Sequence, residues 1–177
     1  MLEGHISPRK PQEIKMAETL SVTDMLPNKF EPKRKNRWVF AIEGIDAYLI
    51  KSTKRPSVKT EEKEIPWINS RRYIAGKTTF ETLSVTLYDA IAPSGAQQVM
   101  EWIRTHFESV SGRAGYADFY KRDCQLKLLD PVGTVIELWD IKGSFITSAN
   151  FGELGYDGDD LLEIQLDLRF DNCVLQY

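Results

Sequence analysis

The plainest pattern along the chain is a period of two. In residues 161–170, Leu162, Ile164, Leu166, Leu168 and Phe170 alternate with Glu163, Gln165, Asp167 and Arg169. That predicts a strand with one buried face. Residues 80–89 repeat the pattern, with Leu83, Val85 and Leu87 on one side and Thr82, Ser84, Thr86 and Tyr88 on the other. Shorter β-type runs fall at 38–42 and 45–50, joined by Glu43-Gly44 as a turn. Residues 124–129 lead through Asp130-Pro131-Val132-Gly133, a strong turn signal, into 134–139 and 141–147. These predict a hairpin whose second arm is long or bent at Gly143. In contrast, residues 53–66 carry only Val58 and Ile65 among the charges of 59–64 and predict an exposed, protruding strand. Residues 69–77 follow as a loop or edge strand, and 151–159 as a Gly/Asp loop.

One segment changes period. Val99, Ile103, Phe107 and Val110 are spaced by four, four and three, an apolar stripe on a helix. Ser94 is placed to cap it with Gln97 three residues on, and Gly112 to stop it. Trp102 and His106 flank the stripe, while Glu101, Arg104 and Glu108 are expected to face water. The expected fold is therefore mostly β: a β-barrel or sandwich with one flanking α-helix at about 94–111 and an N-terminal extended arm. The expected division is an arm, residues 1–36, and a barrel domain, 37–177. The arm holds Pro8, Pro11, Pro27 and Pro32, the apolar anchors Met25, Leu26 and Phe30, and the basic cluster Lys33-Arg34-Lys35 with Arg37.

Composition narrows the class. A chain of 177 residues builds a core without metal or disulfide staples. Its two cysteines, Cys124 and Cys173, form no CxxC pair and are expected to be buried thiols. No apolar run is long enough to cross a membrane as a helix, and the first fifteen residues lack the apolar stretch of a secretory signal. The net charge of −3 conceals an asymmetry. Residues 1–77 hold sixteen basic and ten acidic residues, net +6; residues 78–177 hold seven and sixteen, net −9. A chain divided this way is suited to meeting its own copies head to tail.

Catalytic signatures are scarce. His5 lies in the arm and His106 beside an apolar stripe, where histidines are commonly packed residues. There is no GxSxG and no phosphate-binding glycine loop. Asp157-Gly158-Asp159-Asp160 lacks the alternation of an EF-hand loop and reads as an acidic turn. The basic stretch around Phe30 and Trp38 belongs to an acidic chain with no basic recognition helix, which disfavours sequence-specific DNA binding. No enzyme, cofactor or metal site is expected.

Two segments resemble the tail tube proteins of contractile-tailed bacteriophages. The first is Arg72-Tyr73-Ile74-Ala75-Gly76-Lys77-Thr78-Thr79-Phe80-Glu81 with the alternating strand and helix that follow. The second is Trp139-Asp140-Ile141-Lys142-Gly143-Ser144-Phe145, then Asn150-Phe151-Gly152-Glu153-Leu154, then the closing strand. The resemblance spans roughly residues 38–175. It implies a β-barrel subunit that forms hexameric rings by joining sheets around a lumen. The rings stack into a tube inside a contractile sheath, on a baseplate and around a tape-measure protein, and DNA passes through non-specifically. The location implied is the virion tail, after synthesis in the host cytoplasm. Expected contacts between subunits are Phe30, Lys33, Arg34, Arg37, Lys59, Glu61 and Glu62. Glu163 and Asp167, on the polar face of the last strand, are the expected lumen acids. The alternatives are a tube subunit of a related injection or secretion system, and a small ligand-binding barrel such as a flavin-binding split barrel.

Overall fold

A computed structural model describes residues 30–177. The compact unit comprises Arg34–Tyr177. His5, Met25 and Leu26, and most of the expected arm, lie outside the described residues.

Among the described residues, nine strands and two α-helices follow one another: β1 Trp38–Ile42, β2 Ile50–Thr53, β3 Val58–Trp67, β4 Ser70–Phe80, β5 Leu83–Tyr88, α1 Gly95–His106, α2 Ala117–Tyr120, β6 Arg122–Leu129, β7 Val135–Asn150, β8 Glu163–Arg169 and β9 Asn172–Leu175. All pairing is antiparallel. Seven strands form one sheet in the order β1-β6-β7-β8-β5-β2, with β9 on β7, while β3 and β4 pair, among the described residues, only with each other. The two ends of the sheet approach but do not bond. A cleft of about 470 Å³ lies between β1 and β2, lined by Val39 and Phe40 on one side and Tyr48 and Ile50 on the other. The sheet is thus rolled into a barrel with one unzipped seam.

Alternation builds the core as expected. Leu83, Val85 and Leu87 of β5 face Leu168, Leu166 and Ile164 of β8 in register, all at most 1% exposed. Phe40, Leu126, Leu128 and Ile141 continue the same inner face. Each such side chain contributes about 1.5–3 kcal/mol on burial, and the buried core lies in this sheet, α1, the segment joining β1 to β2, and Phe170 between β8 and β9. That joining segment, expected to be a strand over 45–50, instead folds as a 3-10 turn at Ala47–Leu49 before β2 begins.

β7 is the long, bent arm the sequence predicts. Its first part pairs with β6 and β9 and its last part with β8. The change of partner falls at Gly143, whose φ is 67. A Cβ there would stand 2.4 Å from Asp171 Oδ2. The turn before β7 is held by Asp130, whose Oδ1 accepts from the backbone N–H of Val132 and Thr134 at 2.9 and 2.7 Å. Those donors hold the Asp130 carboxyl below the usual carboxylate range. β9 has no alternating apolar pattern and is not predicted by the sequence.

The helix differs from expectation at its end. Ser94 caps it, accepting from Gln97 N–H at 3.4 Å, and Asp89 Oδ1 takes Ala96 N–H at 3.2 Å. It stops at His106 rather than near 111. The chain doubles back: Gly115 N–H bonds His106 O, Glu108 N–H bonds Arg113 O, and Gly112 turns with φ 70. Gly115 fits because a Cβ would lie 2.0 Å from the Thr105 carbonyl oxygen. Only the first part of the expected stripe is therefore buried. Val99 is sealed, whereas Phe107 is 47% and Val110 94% exposed. Trp102 completes the inner face; it is 1% exposed, and its indole N–H donates to Tyr120 O at 2.7 Å. The Arg122 guanidinium lies 4.8 Å from its ring centre. Glu101, Arg104 and Glu108 face water as expected.

Cys124 is buried, and burial pushes its thiol up to about 11. Cys173, expected to be buried, is half-buried on β9, its thiol also raised to about 11, chiefly by desolvation. Among the described residues no helix is long and apolar enough to cross a membrane.

Candidate assembly surfaces

The β3–β4 hairpin stands apart from the sheet. Every residue from 58 to 80 except Gly76 and Phe80 is exposed. Phe80 anchors its base, with its ring 5.4 Å from that of Phe170. A two-residue turn at Ile68-Asn69 joins the paired Trp67 and Ser70. Ile68 has φ 49 and is 91% exposed. Such turns usually place glycine where φ is positive, so a β-branched residue there is strained. A bulge near the base shifts register between Thr60 and Glu62. Gly76 permits it, since a Cβ would lie 2.9 Å from the Glu61 carbonyl oxygen.

Register sorts the hairpin into two unlike faces. Directly opposed residues share a face, so Ile65 pairs with Arg72, Lys63 with Ile74 and Trp67 with Ser70 on one side. That side is apolar and basic, and a groove there is lined by Ile65, Trp67, Arg72 and Ile74 among others. The other side carries Glu62 opposite Ala75 and Glu64 opposite Tyr73, with Glu64 held by Arg71 at 3.2 Å. By the same alternation Lys59 and Glu61 fall on the first side and Glu62 on the second. Those three expected contact residues are all exposed. Phe30, Lys33 and Arg34 are exposed as well; Arg37 is half-buried, and its carbonyl accepts from Leu129 N–H at 3.0 Å. Within the compact unit, Lys59, Glu61 and Glu62 lie on β3, whereas Arg34 and Arg37 precede β1. Ile65, Trp67, Ile68 and Ile74, the apolar part of the hairpin, were not among the expected contacts. Their signal was present in the sequence, but the surrounding charges masked it.

Glu163 and Asp167 lie on the polar face of β8, opposite its core residues. Neither is a bare charge. Glu163 accepts a hydrogen bond from Lys51, which raises the Lys51 ammonium above its ordinary value. Asp167 accepts from Ser84 Oγ at 2.8 Å. With Thr86 and Gln165 they make a polar, internally bonded surface on β5 and β8.

Two features lie at opposite ends of β5. Beside its first residues, where Lys54 N–H bonds Ser84 O, a pocket of about 220 Å³ is lined by Arg34, Lys35, Trp38, Lys54, Arg55 and Leu128, with Thr53 and Leu126. Arg55 Nε lies 3.8 Å from Glu137, a carboxylate on the inner face that is 5% exposed and accepts from Trp139 Nε1. Beyond its last residue, where Asp89 N–H bonds Leu162 O, the 151–162 loop connects β7 to β8. Leu154, Tyr156 and Leu161 are 88%, 109% and 75% exposed among Glu153, Asp157, Asp159 and Asp160.

No protein-family model and no curated protein sequence matches the chain. Solved structures do. A chain of the anti-feeding prophage cap, described as the AFP tube terminating cap, matches with TM-score 0.70 at 15% identity, covering 89% of this chain and 99% of that one. A chain of the PVC extracellular contractile injection system, from its sheath/tube terminator in the extended state, gives 0.69 at 14%, covering 84% and 99%. One from the PVC sheath–tube complex gives 0.59 at 17%, covering 89% and 99%. At such identities the likeness is one of fold, and nearly the whole of each of those chains shares it: this protein is built on the fold found in the tube, terminator and cap assemblies of contractile injection machines.

Proposed function

We propose that this chain is a structural subunit of the inner tube of a contractile injection machine, assembling with its own copies into rings that stack within a sheath. The observation that carries the reading is the β3–β4 hairpin. A two-stranded ribbon with no core of its own is marginal in water, and this one exposes Trp67, Ile68 and Ile74. A neighbouring copy that covers its apolar face supplies the missing burial. The edges of β1 and β2 along the seam offer unpaired backbone groups of the kind a ring can use and a monomer must hide.

The polar face of β5 and β8 is the part we assign to the lumen. Its acids are bonded to their own subunit, so it offers a passing polymer little to hold. The sheath, the baseplate and a tape-measure protein are the partners this reading assigns. Whether the cargo is phage DNA or protein separates the two versions of it. The fold neighbours named for an extracellular injection system favour a machine outside a phage as the second reading.

Negative-stain microscopy of the purified chain tests the proposal. Rings or tubes with a central hole are expected, and the variant W67S/I74S is expected to stay folded by circular dichroism while ring formation falls. A monomer at all concentrations, or one carrying a small coloured ligand, overturns the proposal in favour of a ligand-binding barrel.

A further inference from the structure

Building on the stacked assembly proposed above, we infer that the cationic pocket beside β1 and β2 receives the 151–162 loop of a second copy. The pocket holds about 220 Å³, below the roughly 300 Å³ at which small-molecule pockets begin. It has room for a large side chain, on an apolar floor of Trp38, Leu126 and Leu128. Around that floor stand Arg34, Lys35, Lys54 and Arg55. Glu137 engages Arg55, whereas Arg34, Lys35 and Lys54 have no acidic partner among the described residues.

The loop is the complement in shape and sign. Tyr156, the most exposed aromatic residue described, stands between Glu153 and Asp157. Among the described residues no side chain of 153–161 makes a hydrogen bond or ion pair. A loop with three bare apolar side chains and four unpaired acids has no internal reason for that composition. Tyr156 seats on Trp38 and Leu128, and the acids meet Arg34, Lys35 and Lys54. The pocket and the loop sit beyond opposite ends of β5, a six-residue strand of about 20 Å. One copy therefore cannot satisfy itself, and the contact runs from one copy to the next. A nucleobase also stacks on an aromatic floor of this kind, but DNA in the pocket leaves Tyr156 and the acids of the 151–162 loop without a partner.

The test uses the full chain with charges reversed on each side, K35E/K54E in the pocket and D157K/D159K in the loop. Arg55 is left in place because it neutralises a buried carboxylate. Each variant is expected to fold and form rings, but to need about tenfold more protein to form tubes. An equimolar mixture is expected to restore tubes, because reversed loops then meet reversed pockets. A synthetic peptide of residues 151–162 is expected to bind the wild-type chain and to lose about tenfold in affinity for K35E/K54E. Tubes of normal length from either variant alone overturn the inference while leaving the tube reading intact. Peptide binding by a wild-type chain that never forms rings supports the pocket and overturns the tube. A short DNA oligonucleotide that binds where the peptide does not overturns the loop as occupant.

Discussion

Gly143 shows how much one residue carries. It stands where β7 leaves β6 and takes up β8, with φ 67 and the Asp171 carboxylate in the place a side chain would fill. Asp171 is itself held by Lys121 at 2.6 Å. In Gly143→Ala, left-handed backbone costs about 1–2 kcal/mol, before any displacement of Asp171. The melting temperature is expected to fall by about 2–8 °C, read by circular dichroism. The sequence marked this glycine as a bend, because a break in β character between two apolar runs leaves a trace. Ile68 left none. Its positive φ sits at a position where sequence rules look for glycine, so the turn of the β3–β4 hairpin was not placed.

At the scale of elements, period decided what was legible. The alternating strands β5 and β8 lie where the pattern puts them, and their inner residues form the core. The helix is right at its start, because Ser94 is a local signal. It is wrong at its end, because residues 107–115 turn back on α1 through contacts that no local pattern encodes. Ser94→Ala removes the cap from Gln97 N–H and is expected to destabilise the chain by about 1 kcal/mol. Thermal denaturation should show a drop of about 2–4 °C, with assembly unaffected, because the cap faces no proposed contact. β9 was missed for the converse reason: four residues without alternation are fixed by β7 alone.

For the molecule as a whole, the charge arithmetic needs correction. The positive and negative halves of the sequence do not become two halves of the structure. β1 of the first half lies against β6 of the second, and β2 against β5. What survives is local: cations around the pocket, acids on the 151–162 loop, and a hairpin with unlike faces. The expected arm adds to this. Because Arg34–Tyr177 is a compact unit by itself, removing residues 1–33 is expected to leave its melting temperature within about 2 °C, an allowance of less than about 1 kcal/mol. Tubes from that truncation are expected to be shorter by negative-stain microscopy, and normal lengths would remove the arm from the elongation contact.

The placement of pocket and loop beyond opposite ends of β5 has a consequence for how growth stops. Contacts that join unlike patches either close into a ring or run on as an open stack, and an open stack built on the proposed contact has two different ends. One end offers a cationic cavity with an aromatic floor; the other presents acidic loops carrying a bare tyrosine. A protein that finishes the first must supply acids and an apolar plug, and one that finishes the second must supply the reverse. Under the proposed contact no single stopper serves both, and the direction of growth would be written into the chemistry of each subunit before a second one arrives.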